Sequence, residues 1–151
     1  MNKAIDALIP DAYDVLEKVK IAKGGVVDKA WRGQISTFGS VIKNGSLLAA
    51  VAFFSAQGGS DVPRERLMMA IWLLLHKGEE LNISFEQKNE EEKRAYKAAA
   101  KKLFDYVAMH SNDRSLKENI INQAVALKLA MNLYYLKKKS AVRFSGEGSF
   151  T

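Results

Sequence analysis

Trp31-Arg32-Gly33-Gln34-Ile35-Ser36-Thr37-Phe38-Gly39-Ser40-Val41-Ile42 runs into Lys43-Asn44-Gly45-Ser46 and restarts as Leu47-Leu48-Ala49-Ala50-Val51-Ala52-Phe53-Phe54. Trp31, Ile35, Phe38 and Ile42 recur at intervals of four, three and four, which places them on one face of a helix. Asn44-Gly45 predicts the end of that helix, because both residues tolerate the left-handed conformation that closes a helix C-terminus. Ser46 can cap the next helix by accepting a backbone N–H bond. The chain therefore turns back on itself. The second helix, Leu47 to Ala56, is apolar on nearly every side and is expected in the middle of a helical domain. Its ten residues are too few to span a bilayer, which needs about 20.

The same pattern extends in both directions. Pro10-Asp11 opens a helix with proline at its first position, and Ala12 to Ala22 carries Val15, Val19 and Ala22 at core spacing before Gly24-Gly25 stops it. A turn around Lys3 to Leu8 can continue into it with a kink. Gly58-Gly59-Ser60-Asp61 reads as a loop. Pro63-Arg64-Glu65-Arg66 opens a fourth helix through Leu67, Ala70, Ile71, Leu74 and Leu75, ending at His76-Lys77-Gly78, where cations and glycine suit a C-terminus.

Glu79 to Asn89 alternates at Leu81, Ile83 and Phe85 like a strand. A lone short strand has no partner, so the segment reads as a loop pinned by buried side chains. Glu90-Glu91-Glu92 start a fifth helix, three acids suiting the positive end of a helix dipole. Its apolar face is Tyr96, Ala99, Leu103, Tyr106 or Val107, and His110. After the polar turn Ser111-Asn112-Asp113, a sixth helix runs from about Leu116 through Ile120, Ala124, Leu127, Met131 and Tyr134 to near Lys139. Ile121, Val125, Leu129 and Leu133 flank that stripe. Short connections between amphipathic helices indicate an all-α fold, a single-domain helical bundle of about six helices over residues 1–144. Residues 145–151, small and polar, read as a flexible tail. No internal repeat of fixed period is evident.

Composition sets the class. The chain has 151 residues, 48% hydrophobic and 26% charged, enough to bury roughly two-thirds of its unfolded surface in one domain. It has no cysteine, which removes disulfide and thiolate chemistry and suits a reducing intracellular compartment. Met1-Asn2-Lys3-Ala4-Ile5-Asp6 lacks the layout of a signal peptide, and no stretch is long and apolar enough for a membrane span; a cytoplasmic protein with no membrane partner is expected. The net charge of +6 favours polyanions without regard to sequence, although many lysine-rich helical proteins are as basic and bind none.

Catalytic constellations are missing from the sequence. His76 and His110 lie in different helices without Cys, Asp or Glu at ligand spacing and read as helix-end or core histidines. No serine sits in a strand-turn-helix elbow. Gly24-Gly25, Gly58-Gly59 and Gly146-Glu147-Gly148 are too short to cradle a phosphate. Met68-Met69, Met131, Trp31 and Trp72 occupy core-type positions. No catalytic, cofactor-binding or metal residue is assigned.

Basic residues gather where helical geometry collects them. Lys29, Arg32, Ser36, Ser40 and Lys43 share one sector of the second helix, displaced from its apolar face. Small residues between cations make a shallow strip that a phosphate backbone can approach. A second cluster, Lys137-Lys138-Lys139 with Arg143, follows Tyr134-Tyr135; a third, Lys93, Arg94, Lys97 and Lys101, lines the fifth helix, where Glu90 with Arg94 or Glu92 with Lys93 can partly neutralise it. A solvated face is the ordinary reading of any one such cluster. The candidate nucleic-acid-binding residues are Lys29, Arg32, Lys43, Lys137, Lys138, Lys139 and Arg143, with the first cluster foremost.

The Asn44-Gly45 reversal, the apolar helix leading to Phe53-Phe54-Ser55-Ala56-Gln57-Gly58, and the late Asn132-Leu133-Tyr134-Tyr135-Leu136-Lys137-Lys138 segment resemble the small helical subunit of type III-B CRISPR effector complexes, the fifth component of the Cmr, or RAMP-module, complex. The first motif covers about a fifth of the chain. Phe38 stands where that family commonly has proline, Ser46 where leucine usually follows the glycine, and the phenylalanine after the reversal is shifted by a position. The resemblance implies a non-catalytic α-helical subunit that stacks with copies of itself and with RAMP backbone subunits along the crRNA, helping to hold guide and target RNA. It implies no cofactor. A stand-alone protein–protein adaptor, binding a partner helix through the sixth helix and the Tyr134-Tyr135 edge, is the alternative of a different class.

Overall fold

A computed structural model describes residues 3–56, 62–77 and 89–137. The order of elements is α1 (Lys3–Lys18), β1 (Ala22–Lys23), β2 (Val26–Asp28), α2 (Lys29–Asn44), α3 (Leu47–Phe54), α4 (Glu65–Leu75), α5 (Asn89–Met109), α6 (Arg114–Met131) and β3 (Tyr135–Lys137). The fold is predominantly helical, with six helices and one small sheet among the described residues. No described helix is long and apolar enough to cross a membrane. The loop expected at 58–61 and the tail from 145 lie outside the described residues, as does the loop expected at 79–89 except for Asn89, which begins α5.

Helix α1 takes in the turn at Lys3 to Leu8 and carries Pro10 inside it, but it ends at Lys18, short of the expected Ala22, which belongs to β1. It closes with Lys20 N–H on the Glu17 carbonyl and Ile21 N–H on the Leu16 carbonyl, both at 3.0 Å. These two bonds form the paired closure in which the residue after the cap adopts left-handed geometry. That residue is Lys20, with φ +62, where glycine would be unstrained. Lys20 occupies it because its side chain and carbonyl are both engaged by other helices, as described below. Lys20→Gly should therefore be more stable than Lys20→Ala by about 1 kcal/mol, since both lose the ammonium and only glycine relieves the backbone. Paired urea titrations measure the difference.

Gly24-Gly25 is the turn of a hairpin, where the sequence suggested only a helix stop. Both glycines have positive φ, +57 and +79, as the favoured two-residue hairpin turn requires. β1 pairs antiparallel with β2. β2 pairs in parallel with β3 in the register Val26↔Tyr135, Val27↔Leu136, Asp28↔Lys137. This corrects the expectation of no strand and of a sixth helix reaching Lys139: α6 ends at Met131 and the chain re-enters as β3. Tyr134 holds the change of direction. Its ring stacks on Tyr13 with centroids 4.3 Å apart, and its hydroxyl donates to the Tyr13 carbonyl at 2.7 Å. Burial raises the Tyr134 phenol well above its ordinary range, so it remains a donor.

The α2–α3 reversal forms as the sequence indicates, with one difference. Trp31, Ile35, Phe38 and Ile42 are buried, and Ser46 Oγ accepts from Ala49 N–H at 3.0 Å. Gly45 has φ −138 and is not left-handed. Glycine is needed there for close approach, because a Cβ would stand 3.0 Å from the Val41 carbonyl oxygen. Helix α3 buries only Leu47, Ala50, Val51 and Phe54, leaving Phe53 56% exposed. It lies at the margin of the core despite its apolar composition. The enclosed helix is α4, which packs chiefly on α5 and also on α1, α3 and α6, while α6 packs on α1 and α2. One cluster of buried side chains gathers residues from all six helices.

The joint between α1, α4 and α5 is ionic. Lys20 and Glu92 are 7% and 8% exposed, and the Lys20 ammonium donates directly to the Glu92 carboxylate. Arg66 approaches the other carboxylate oxygen at 3.8 Å, donates to the Lys20 carbonyl at 2.9 Å, and lies over the Tyr96 ring at 4.9 Å. The Tyr96 hydroxyl donates to the Val19 carbonyl at 2.7 Å, and burial pushes its phenol up to about 12. Glu92 thus turns inward, where the sequence suggested a first-turn acid beside Lys93.

Candidate nucleic-acid interface

Helix α2 has an N-cap in Asp28, whose carboxylate accepts from Ala30 N–H at 2.9 Å. The helix itself contains Lys29, Arg32 and Lys43 and no acid. Its apolar stripe faces the core, which leaves Ser36, Ser40 and Lys43 exposed. Lys29 stands in the first turn, where a cation opposes the positive end of the helix dipole. Lys29 and Lys43 are separated by about 21 Å of helix axis.

The structure divides the expected strip in two. Near its end, Ser36, Gly39, Ser40, Lys43 and Asn44 form one wall of a groove whose other wall is Ile121, Ala124, Val125 and Lys128 of α6, with Ile35 also lining it. The groove has a volume of about 300 Å³. Asn44 Nδ2 donates to Ser40 Oγ at 3.3 Å. No acid lines this groove, and neither Lys43 nor Lys128 has an ion-pair partner among the described residues. Lys43 is exposed and Lys128 half-buried. Two ammonium groups on opposing walls, without a neutralising carboxylate, make a local site for an anion.

At the other end of α2 stand Lys29 and Arg32. Arg32 is half-buried, and its Nε is enclosed without a hydrogen-bond partner among the described residues. The parallel pairing of β2 with β3 places Lys137 opposite Asp28, next in sequence to Lys29. Lys137 of the second sequence cluster therefore meets the start of the first through the sheet, which their separation of about a hundred residues does not suggest. Asp28 lies at that junction and offsets part of its charge. Lys138, Lys139 and Arg143 lie outside the described residues.

Two of the four cations of the third cluster are engaged. Lys97 donates to the Ser55 carbonyl and Lys101 pairs with Asp105 at 2.6 Å. A smaller cleft of about 160 Å³ is lined by Pro63, Glu65, Arg66, Glu92, Lys93 and Tyr96. Its Glu92 carboxyl lies below its ordinary 4.5, chiefly through the hydrogen bond from Lys20, with burial opposing and the charges of Lys20 and Arg66 assisting. His76 and His110 each place Nδ1 near the carbonyl four residues earlier, Trp72 at 3.3 Å and Tyr106 at 2.8 Å, and their rings pack with Trp72 and Tyr106. They serve as helix-end residues. Among the described residues, no three His, Cys, Asp or Glu side chains group to hold a metal ion.

Sequence reasoning found Lys43 and missed Lys128. In sequence Lys128 is one cation near the end of an amphipathic helix; only the pairing of α2 with α6 sets it across from Lys43. Set against family models, curated proteins and solved structures, the chain matches none of them.

Proposed function

We propose that this chain is a non-catalytic small subunit of a type III-B CRISPR RNA-guided effector, or Cmr, complex, stacking with its own copies and with RAMP backbone proteins and presenting α2 toward guide and target RNA. The observation that carries the RNA-proximal part is the acid-free face of α2, with Lys29, Arg32 and Lys43 spread along it. The Asn44-Gly45 reversal between α2 and α3 and the predominantly helical fold support the family part. Spaced cations on one rigid helix meet successive phosphates of a strand without reading its bases. Lys138, Lys139 and Arg143 enter this reading from the sequence alone, as further cations that follow Lys137.

Purification of the tagged chain from a host that carries such a locus is expected to bring down crRNA and RAMP-type backbone proteins. An assembly lacking both overturns the assignment. On the isolated chain, replacing Lys29, Arg32 and Lys43 together by alanine should weaken single-stranded RNA binding and flatten its log–log salt dependence by about 0.7 per lost phosphate contact. A slope equal to that of the wild-type chain counts against α2 as the contact.

A protein–protein adaptor is the second reading, favoured by the exposure of Leu129, Leu133 and Tyr135 near the end of α6, the last two at 63% and 71%. An adaptor predicts partner binding that is insensitive to salt and no salt-steep binding of RNA; light scattering and a salt titration separate the two.

A further inference from the structure

We infer that the α2–α6 groove receives one nucleotide unit of an unpaired RNA strand, its phosphate between Lys43 and Lys128 and its base and ribose against Ile121 and Val125. This inference rests on the RNA-proximal reading and adds to it a site and a strand state.

Charge complementarity selects an anion. Lys43 of α2 and Lys128 of α6 both line the groove, no acid lines it, and neither lysine has an ion-pair partner among the described residues. An anion lodged there is held from two walls, whereas Lys29 and Lys43 on a single helix face stand too far apart to share one phosphate.

The rest of the lining selects an organic phosphate over a bare ion. One wall is apolar, with Ile121, Ala124 and Val125; the other offers the Ser36 and Ser40 hydroxyls and the Asn44 amide. A nucleotide has the same division, an apolar base face beside a hydroxyl-bearing ribose and polar base edges. The volume of about 300 Å³ lies at the lower end of small-ligand sites. A base held in an A-form duplex is stacked and paired and cannot enter such a groove, while an unpaired base can turn out of the strand and pack on aliphatic side chains.

Gly39 keeps the space open. It sits within α2, where glycine costs helix stability relative to alanine, and a Cβ built there meets nothing within 4 Å. Gly33 is equally open in α2 but does not line the groove. The two positions give a matched pair, because a larger residue at either should be tolerated by the fold and only one obstructs the groove.

The experiment is an NMR titration of the isotope-labelled full chain with AMP, with inorganic phosphate, with a short single-stranded RNA, with the same RNA as a duplex, and with an acidic peptide. Millimolar affinities are visible in this assay, so weak binding remains measurable. AMP is expected to shift the amides of Ser36, Gly39, Ser40, Ala124 and Lys128, at least threefold more tightly than inorganic phosphate. Gly39→Leu should abolish these shifts and Gly33→Leu should leave them intact; Lys43→Ala with Lys128→Ala should weaken AMP tenfold or more. If Gly39→Leu loses its helical circular dichroism, Lys128→Glu is the substitute, expected to abolish AMP binding with the fold intact. Absence of groove shifts with AMP, equal affinity for phosphate and AMP, preference for the duplex, or tighter binding of the acidic peptide each overturns the inference. RNA binding that keeps its salt dependence in Gly39→Leu removes the groove and leaves the α2 face standing. Groove binding by a chain that fails to copurify with crRNA and backbone proteins removes the complex assignment and leaves the groove.

Discussion

Glu92→Ala is expected to lower the unfolding free energy by about 3–5 kcal/mol, because it strands the buried Lys20 ammonium and deprives Arg66 of its carboxylate. The loss is large for three further reasons. Lys20 is 7% exposed, so its ammonium has little access to water once it is unpaired. Arg66 is tied to the Lys20 carbonyl and to the Tyr96 ring, so it is not free to neutralise a new partner. Glu92 lies in the first turn of α5, where the helix dipole adds to its stabilisation. The effect has a definite pH dependence. The hydrogen bond from Lys20 lowers the carboxyl of Glu92 below its ordinary 4.5, burial opposing it and the charges of Lys20 and Arg66 assisting. A carboxyl lowered in the folded state contributes stability that is fully present above the unfolded value and is lost as pH falls through the folded one. Urea titrations at neutral pH should therefore show the full difference between wild type and Glu92→Ala, and the difference should shrink progressively below about pH 4.5. A gap that is constant with pH would place the contribution in packing.

Phe38→Ala should cost about 3–5 kcal/mol as well, through the cavity it opens. Phe38 is fully buried on the core face of α2 and meets the edge of Phe54 with ring centroids 5.1 Å apart and planes at 67°. This pair clasps α2 to α3 across the Asn44-Gly45 reversal, and Arg64 lies over the Phe54 ring at 5.3 Å, tying α4 to the same point. A double-mutant cycle with Phe54→Ala should return a coupling of about 0.5–1.5 kcal/mol. The measurement is chemical denaturation of the four chains; additive losses would show that the two rings fill separate parts of the core.

The helices were legible because their apolar residues recur at helical spacing for several turns. Trp31, Ile35, Phe38 and Ile42 are all buried on α2, and Tyr96, Leu103 and Val107 on α5. The Ser46 cap was legible for a local reason: it needs only the next three residues to act, and its hydroxyl accepts the Ala49 N–H, while Asp113, which read only as part of a polar turn, caps α6 in the same way. The enclosure of α3 was misjudged because composition reports how apolar a segment is and says nothing about which side meets a neighbour. Phe53 is apolar and 56% exposed, with the Arg64 guanidinium over its ring at 4.6 Å.

The sheet had no readable signal. Strands of two and three residues are too short to repeat the two-residue alternation of a strand, and β2 and β3 lie more than a hundred residues apart. The same holds for the basic surface. The Lys29, Arg32 and Lys43 strip follows from the turn of one helix, while Lys137 reaches the start of α2 through a parallel ladder and Lys128 reaches Lys43 through helix pairing.

By itself the sequence determined what depends on neighbours within a few residues: helix faces, caps, the α2–α3 reversal, and the acid-free composition of α2. Tertiary structure alone decided what depends on contacts between distant segments: which helix is enclosed, the Lys20–Glu92–Arg66 joint, the closing strand after α6, and the groove that sets Lys43 against Lys128. The division is physical, since local patterns are set by backbone periodicity and short-range hydrogen bonding, whereas docking is set by the summed burial of whole faces, which no single segment encodes.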